Sequence, residues 1–301
     1  MSRFHAVKLA PSREMCGTTE EQFAELMVVL APSVEQRKRR LADRPDRKRA
    51  PGAGQKPAPW WLRLLVALTH LRQGTSVRAT AAIFGIHERS VRRYRDEVEE
   101  VLVGFGFRPP GAAKPIRSLE DLAVYVADLE KPTVILDGTD VRRWSPYPWK
   151  DQQAAWSAKT GDHVVKATVV ADSTRRPIWV EANPSGEGRT NDIAMLRAQQ
   201  ALLTTLGVMV AAGATVLVDR GYQTLWRDLG RQRTVIPAIK NRHHDLSDVD
   251  RRRNRQLSSI RMPVEHACGR MKWWRALSYW RRPIDAFDRT IKAIGALAAI
   301  T

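Results

Sequence analysis

Cysteine is nearly absent from the 301 residues: Cys16 and Cys268 are the only two, at opposite ends of the chain. That excludes a disulfide framework and a zinc-finger ligand set, and the chain reads as cytosolic and reduced. Long apolar runs are also missing. No stretch reaches the roughly 18 residues of a membrane helix, and no signal-peptide core follows the basic N-terminus. The expectation is therefore a cytoplasmic protein with no membrane partner. Acid is scarce as well, with 32 Asp+Glu against 50 Lys+Arg, a net charge of +18. Such a field repels cations and draws in polyanions, so nucleic acid is the leading partner class. What the chain does have is 43% hydrophobic residues and ten Trp. These build folded cores and exclude a disordered basic tail, and the length suggests two domains.

Thr19 to Leu30 opens like a capping box and carries Phe23, Leu26, Met27 and Leu30 at helical spacing. The run 37–49 then holds eight basic residues, and 51–59 adds proline and glycine, so 35–59 reads as a flexible basic arm. Within 60–71, Trp61, Leu64, Leu65, Leu68 and Leu71 form one helical face, stopped by Gly74. Next, Val77, Ala81 and Phe84 precede a turn at Gly85, Ile86 plugs the corner, and Val91, Tyr94 and Val98 line a second helix. This spacing resembles a helix-turn-helix. The outward face of the second helix, with Glu88, Arg89, Ser90, Arg92, Arg93 and Arg95, suits guanine edges and phosphates. The bland alternative is a surface helix whose arginines pair with Glu97, Glu99 and Glu100.

Prolines and a glycine in 108–115 mark a domain boundary. The layout is an N-terminal helix and basic arm over 1–59, a helix-turn-helix domain over 60–112, and a third domain over 113–301. After a helix at 118–130 the period changes. Short β-branched runs at 133–136, 164–170, 178–180, 215–218 and 234–236, a helix at 192–206 and a helical tail from Pro263 indicate an α/β domain with a mixed sheet.

Two acids close apolar strands, Asp137 in TVILDGTD and Asp219 in TVLVDRGY, each with a glycine within two residues. Strand ends are where open α/β sheets present ligand chemistry. A third, Glu265, follows Pro263, which fits the first turn of a helix. Three carboxylates from two strands and a helix suit hard divalent cations such as Mg²⁺, and a pair of such ions serves phosphodiester displacement. Near DNA, carboxylates require that compensation.

The series LDGTD (136–140), SAKTGDHVVKATVVAD (157–172), LVDRGY (217–222) and VEHACGRMKWWRAL (264–277) resembles the transposases of the insertion-sequence-5 and Harbinger-like type, DDE endonucleases with a ribonuclease-H-like catalytic domain. The resemblance covers the second half, and the helix-turn-helix ahead of it matches the usual layout. The order and spacing of the acids, 82 and 46 residues apart, are more specific than any one motif. It implies that Asp137, Asp219 and Glu265 form the catalytic, metal-binding triad, holding two Mg²⁺ or Mn²⁺ ions. Arg270, Lys272, Lys159, His163 and Lys166 become DNA-binding positions, and Asp192, preceded by Asn191, is a supporting residue or helix cap.

The activity so implied is strand cleavage at the terminal inverted repeats of an insertion sequence, followed by attack of the released 3′ hydroxyl on target DNA. Both partners are double-stranded DNA, and joining two ends implies a homodimer or more, associated with the nucleoid. A non-catalytic DNA-binding protein, as regulator or domesticated relative, and a nuclease for RNA or branched DNA are the alternatives. Asp140 competes locally with Asp137 but reads as a surface group paired with Arg142. His243, His244 and Asp245 read as a solvated loop. Trp273 and Trp274 read as packing residues with at most one exposed, and Cys268 as a small packing residue.

Overall fold

The computed structural model describes residues 10–43, 58–146, 149–240 and 245–301, which form two compact units. Residues 44–57, which include the second half of the charge run at 37–49, and the pair His243/His244 lie outside the described residues. No single described helix is long and apolar enough to cross a membrane.

The first unit comprises Met1–Val101 with Trp274–Ala276 and Thr301. It contains the single turn α1 (Arg13–Cys16), then α2 (Glu20–Ala42), α3 (Trp60–Gln73), α4 (Val77–Phe84) and α5 (Glu88–Phe105), the last running on into the second unit. Thr19 and Gln22 close a reciprocal capping box at the start of α2. This helix does not stop at Leu30 as expected. It passes Pro32 and takes in 35–42, the first third of the expected arm. Residues 34–42 contain only helix-permissive side chains, and Arg37 donates to Glu100 (2.6 Å) and Glu97 (3.2 Å) on α5.

α4 and α5 form the helix-turn-helix. Val66, Ala81, Val91 and Tyr94 make its core, with Val77, Phe84 and Ile86 packed around them. Gly85 takes a left-handed conformation (φ 63°), and its N–H returns to the carbonyls of Ala81 and Ala82. On α3, Leu64, Leu65, Leu68 and Leu71 are buried, but Trp61 of the same expected face is 48% exposed.

The second unit, Leu102–Trp273 and Leu277–Ile300, is built on a six-stranded mixed sheet. Its elements are α6 (Leu119–Ala127), β1 (Thr133–Arg142), α7 (Trp149–Ala155), β2 (Trp156–Ser157), β3 (Asp162–Ala171), β4 (Pro177–Ala182), α8 (Asp192–Ala198), α9 (Gln200–Ala211), β5 (Thr215–Leu217), α10 (Trp226–Leu229), β6 (Thr234–Val235), α11 (Asp248–Lys272) and α12 (Phe287–Ile300). β1, β3 and β4 are antiparallel neighbours; β5 joins β1 and β6 joins β5, both parallel. This is the ribonuclease-H-like mixed sheet the sequence led us to expect. The proline-rich loop 108–115 is closed at its base by a Phe107–Ile116 bridge. On α12, a Cβ added to Gly295 would meet Phe107 at 2.8 Å and Val180 at 2.9 Å, so only glycine lets this helix approach so closely.

Two helices differ from expectation in ways that shape the site. The helix expected over 192–206 breaks at Gln199 into α8 and α9, bent by 94°. The buried Gln199 amide donates to the carbonyls of Glu181 and Ala182 and accepts from Thr168. Three satisfied bonds at a buried amide fix the bend, and with it the direction of α8. α11 begins not at Pro263 but fifteen residues earlier, capped by Ser247, whose Oγ accepts from the Asp250 N–H. Glu265 therefore sits in the C-terminal half of a long helix.

Candidate active site

Asp137 does not end β1. The strand continues to Arg142, and Asp137 is paired with Val169 of β3. What ends is its other neighbour: β5 pairs with Thr133, Val134 and Ile135 and stops at Leu217. Past Ile135 no described strand pairs with that edge of β1 beside Asp137, and Asp219, two residues past Leu217, arrives level with it. The Asp219 carboxylate accepts from the Gly221 N–H (2.8 Å), which aims it across the turn.

Asp192 enters the same space. Asn191 is the cap of α8, accepting from the Ala194 N–H, so Asp192 is free of capping duty. A Cβ added to Gly138 would lie 2.6 Å from Asp192 Oδ1; one added to Gly221 would lie 2.9 Å from Asp192 Oδ2 and 3.0 Å from Asp219 Oδ1. The two glycines thus admit a carboxylate between β1 and the turn after β5. Lys166, on β3, holds it there: its ammonium donates to Asp192 Oδ1 (3.2 Å) and the Thr190 carbonyl (2.9 Å), and lies 3.7 Å from Asp140. Two expectations change here. Lys166 is 7% exposed and committed to these partners, so it lies among the carboxylates and not on the open surface expected of a phosphate contact. Asp140 pairs with Lys166 and accepts from Ser157, whereas Arg142 pairs with Asp162. Cross-strand register explains the swap, since Lys166 of β3 stands directly opposite Asp140 on β1.

α11 packs on β1 and β3. Arg261 brings its guanidinium to 3.9 Å from Asp137 Oδ2. Glu265 and Cys268 follow at i+4 and i+7, on the same face of the helix. Burial and the nearby Asp137 charge push the Cys268 thiol up to about 12, with Glu265 adding to the effect, so this cysteine is an inert filler. Arg270 and Lys272 are exposed in the last turn of α11, where cations suit the helix dipole.

Asp137 is the electrostatic focus. Burial, then Asp219, and more weakly Asp192, push its carboxyl up to about 6 against the opposing pull of Arg261 and the Gly138 N–H. The phenol of Tyr222, fully buried beneath the same acids, is pushed well above its ordinary value, and its hydroxyl has no hydrogen-bond partner among the described residues. Among the described residues, no three His, Cys, Asp or Glu side chains converge tightly enough to cage an ion. The donor chemistry nonetheless fits hard divalent cations: oxygen ligands only, crowded negative charge, and glycines where a Cβ would intrude.

In the first unit, Arg89, Arg92 and Arg93 of α5 are exposed and Ser90 is half-buried. Arg92 pairs with Glu88 (3.0 Å), and Arg93 lies over the Tyr94 ring. Arg95 is a correction. It is 8% exposed and pairs with Asp96, because it falls four residues after Val91 on the buried stripe. Glu97 and Glu100 are taken by Arg37, Arg40 and Arg63 from other helices. Among the described residues, Arg89 and Arg93 have no acidic partner. Each changed to Ala should weaken DNA binding about tenfold, measured by anisotropy, while Arg95→Ala should instead lower thermal stability.

In the second unit, Lys159 is exposed in the turn between β2 and β3, and His163 is half-buried against Trp156. Trp273 is exposed; Trp274, counted with the first unit, is buried. Neither Arg261 at Asp137 nor the Lys166 pairing follows from any local pattern. The helical spacing 261, 265, 268 was the one signal that could have found Arg261.

Residues 136–301, more than half of the chain, match a family model described as DDE superfamily endonuclease. Residues 63–104 match the helix-turn-helix of DDE superfamily endonucleases. The chain is 25% identical over 221 residues to a protein of Microchaete diplosiphon named as a probable transposase for insertion sequence element IS702, covering 72% of this chain and 71% of that one. It is 24% identical over 287 residues to one of Streptomyces albus G named as a candidate transposase for insertion sequence element IS112, covering 93% and 91%. No solved structure matches significantly.

Proposed function

Because the chain belongs to the DDE superfamily endonucleases, we propose that it is an insertion-sequence transposase that binds the terminal inverted repeats of its element and cuts and rejoins DNA there. The observation that carries the reading is the meeting of Asp137 and Asp219 where β5 stops beside β1, with the Arg261–Glu265 face of α11 packed on the same strand. Asp137, Asp219 and Glu265 would hold two Mg²⁺ or Mn²⁺ ions, which when bound activate the attacking oxygen and stabilise the leaving one.

The chain's own groups prepare that chemistry. Arg261 offsets the charge on Asp137, and Lys166 holds Asp192 and Asp140 in place. Arg270 and Lys272, with Lys159 and His163, neutralise the phosphates of the bound strand. Arg89, Ser90, Arg92 and Arg93 bring the duplex to the enzyme through the major groove. Both reaction steps are phosphodiester substitutions, first by water and then by the freed 3′ hydroxyl, so no side-chain nucleophile is required. Residues 60–112 supply recognition, 113–301 the chemistry, and 1–59 further basic contacts. Joining two ends calls for a homodimer or more on DNA, working in the cytoplasm at the nucleoid.

The test is direct. Purified protein and Mg²⁺ should nick a duplex carrying the element's ends and flanks at the junction, with EDTA abolishing the product. Binding without cleavage in Mg²⁺ and in Mn²⁺ would instead leave a non-catalytic DNA-binding protein.

A further inference from the structure

We propose that Tyr222 is a positioning residue of the carboxylate site, its hydroxyl kept for the Asp192 carboxylate when divalent cations occupy the acids; this rests on the endonuclease reading above. A single 3₁₀ turn, Arg220–Tyr222, ties the residue to Asp219. The Asp219 carboxylate accepts the Gly221 N–H, and the Tyr222 N–H returns to the Asp219 carbonyl at 3.3 Å. The Tyr222 carbonyl in turn accepts the Leu225 N–H at 2.9 Å, so the backbone is fixed on both sides of the residue. Its side chain is fully buried.

A buried hydroxyl that makes no bond is costly, and a phenylalanine would fill the same space without that cost. Tyr125, in the same unit, shows the ordinary solution by donating to Asp172. Tyr222 has no such partner among the described residues, and neither has the buried Arg261 Nε on the other side of the same acids. Burial, then the charges of Asp192, Asp137 and Asp219, keep the Tyr222 phenol protonated, so it serves only as a neutral donor. The commitments of the three acids identify the acceptor. Asp137 accepts from the Gly138 N–H and faces Arg261, and Asp219 accepts from the Gly221 N–H. Asp192 is held by Lys166 through Oδ1, while its Oδ2 lies toward Gly221, the residue before Tyr222. Among the described residues nothing donates to that second oxygen. Cation binding re-aims carboxylates, and a donor beside the least committed of them holds the new arrangement. Groups that orient a metal site's carboxylates in this way raise metal affinity about 10- to 100-fold.

The experiment compares the full-length wild type with Tyr222→Phe in the absence of DNA. Mn²⁺ is titrated into each and the free ion followed by electron paramagnetic resonance, and thermal unfolding is recorded separately in EDTA. Tyr222→Phe should bind Mn²⁺ about tenfold more weakly than wild type. Its Tm in EDTA should equal or exceed that of wild type, because the ring still packs and the unbonded hydroxyl is gone. A purely structural tyrosine gives the opposite pair of results. Unchanged Mn²⁺ affinity, or a lower Tm in EDTA, therefore overturns the role of Tyr222 and leaves the endonuclease reading intact. Absence of saturable Mn²⁺ binding by the wild type overturns the metal-site reading and this proposal with it.

Discussion

Asp219→Asn and Glu265→Gln should each lower Mg²⁺-dependent cleavage at the element's ends by about a thousandfold or more, with DNA binding nearly unchanged. The amides keep shape and remove charge, so the loss reports ligand chemistry and not folding. Asp219 makes this clean, because its carboxylate accepts the Gly221 N–H at 2.8 Å and an asparagine oxygen can keep that bond. Glu265 is exposed, so its replacement leaves the core untouched. The informative comparison is Asp192→Asn, which removes one of the two carboxylates paired with Lys166 and leaves that ammonium with Asp140 and the Thr190 carbonyl. If Glu265→Gln cleaves normally and Asp192→Asn does not, Asp192 takes the place of Glu265 beside the two strand acids. Undiminished cleavage in both Asp219→Asn and Glu265→Gln would overturn the triad.

Much of this arrangement could be read from the residues, and the exceptions share a cause. Asp137 and Asp219 stood out because β-branched runs and glycines mark them locally. The sheet changed what that marking means: Asp137 is available because its parallel neighbour stops, not because its own strand does. Strand pairing is a non-local fact that a local pattern does not carry. The start of α11 is a different kind of miss. Pro263 is compatible with a first helical turn, but Ser247, Asp248 and Asp250 form a complete N-terminal signal fifteen residues upstream. A proline inside a helix forfeits one hydrogen bond, a cost that packing of Val264, Ala267 and Met271 offsets here.

Charged residues were the hardest to place. Arg89, Arg92 and Arg93 lie on the open side of α5 as their spacing implied, yet Arg95, read as their companion, is buried. Lys166 likewise belongs to the interior. In so basic a chain a lysine or arginine looks like a phosphate contact by default, and only the structure tells which cations are spent on carboxylates. Asp192 shows the reverse: its neighbour Asn191 takes the capping bond, which releases the acid toward Gly138 and Gly221.

Asp137→Asn should stabilise the metal-free protein at neutral pH, by an amount that depends on pH in a defined direction. The folded state raises this carboxyl from 3.8 to about 6, chiefly through burial and Asp219. Between those values the native state holds the proton more tightly than the unfolded chain, so stability falls as pH rises through the window. The full cost of ionising Asp137 in the fold is about 3 kcal/mol. The variant should therefore match wild type near pH 4 and exceed it by about 3 kcal/mol above pH 7, a Tm difference of roughly 6 °C or more. Mg²⁺ should close that gap by raising the wild type alone, by about 2.7 kcal/mol at a hundred times its Kd. Denaturant or thermal unfolding at pH 4, 5.5 and 7.5, with and without Mg²⁺, reads all three terms. A difference that stays constant across pH would mean that Asp137 ionises without strain. A metal response undiminished in Asp137→Asn would place the ions elsewhere. The expected pattern makes the instability of the empty site the counterpart of its function, since charge that is costly without metal is what draws metal in.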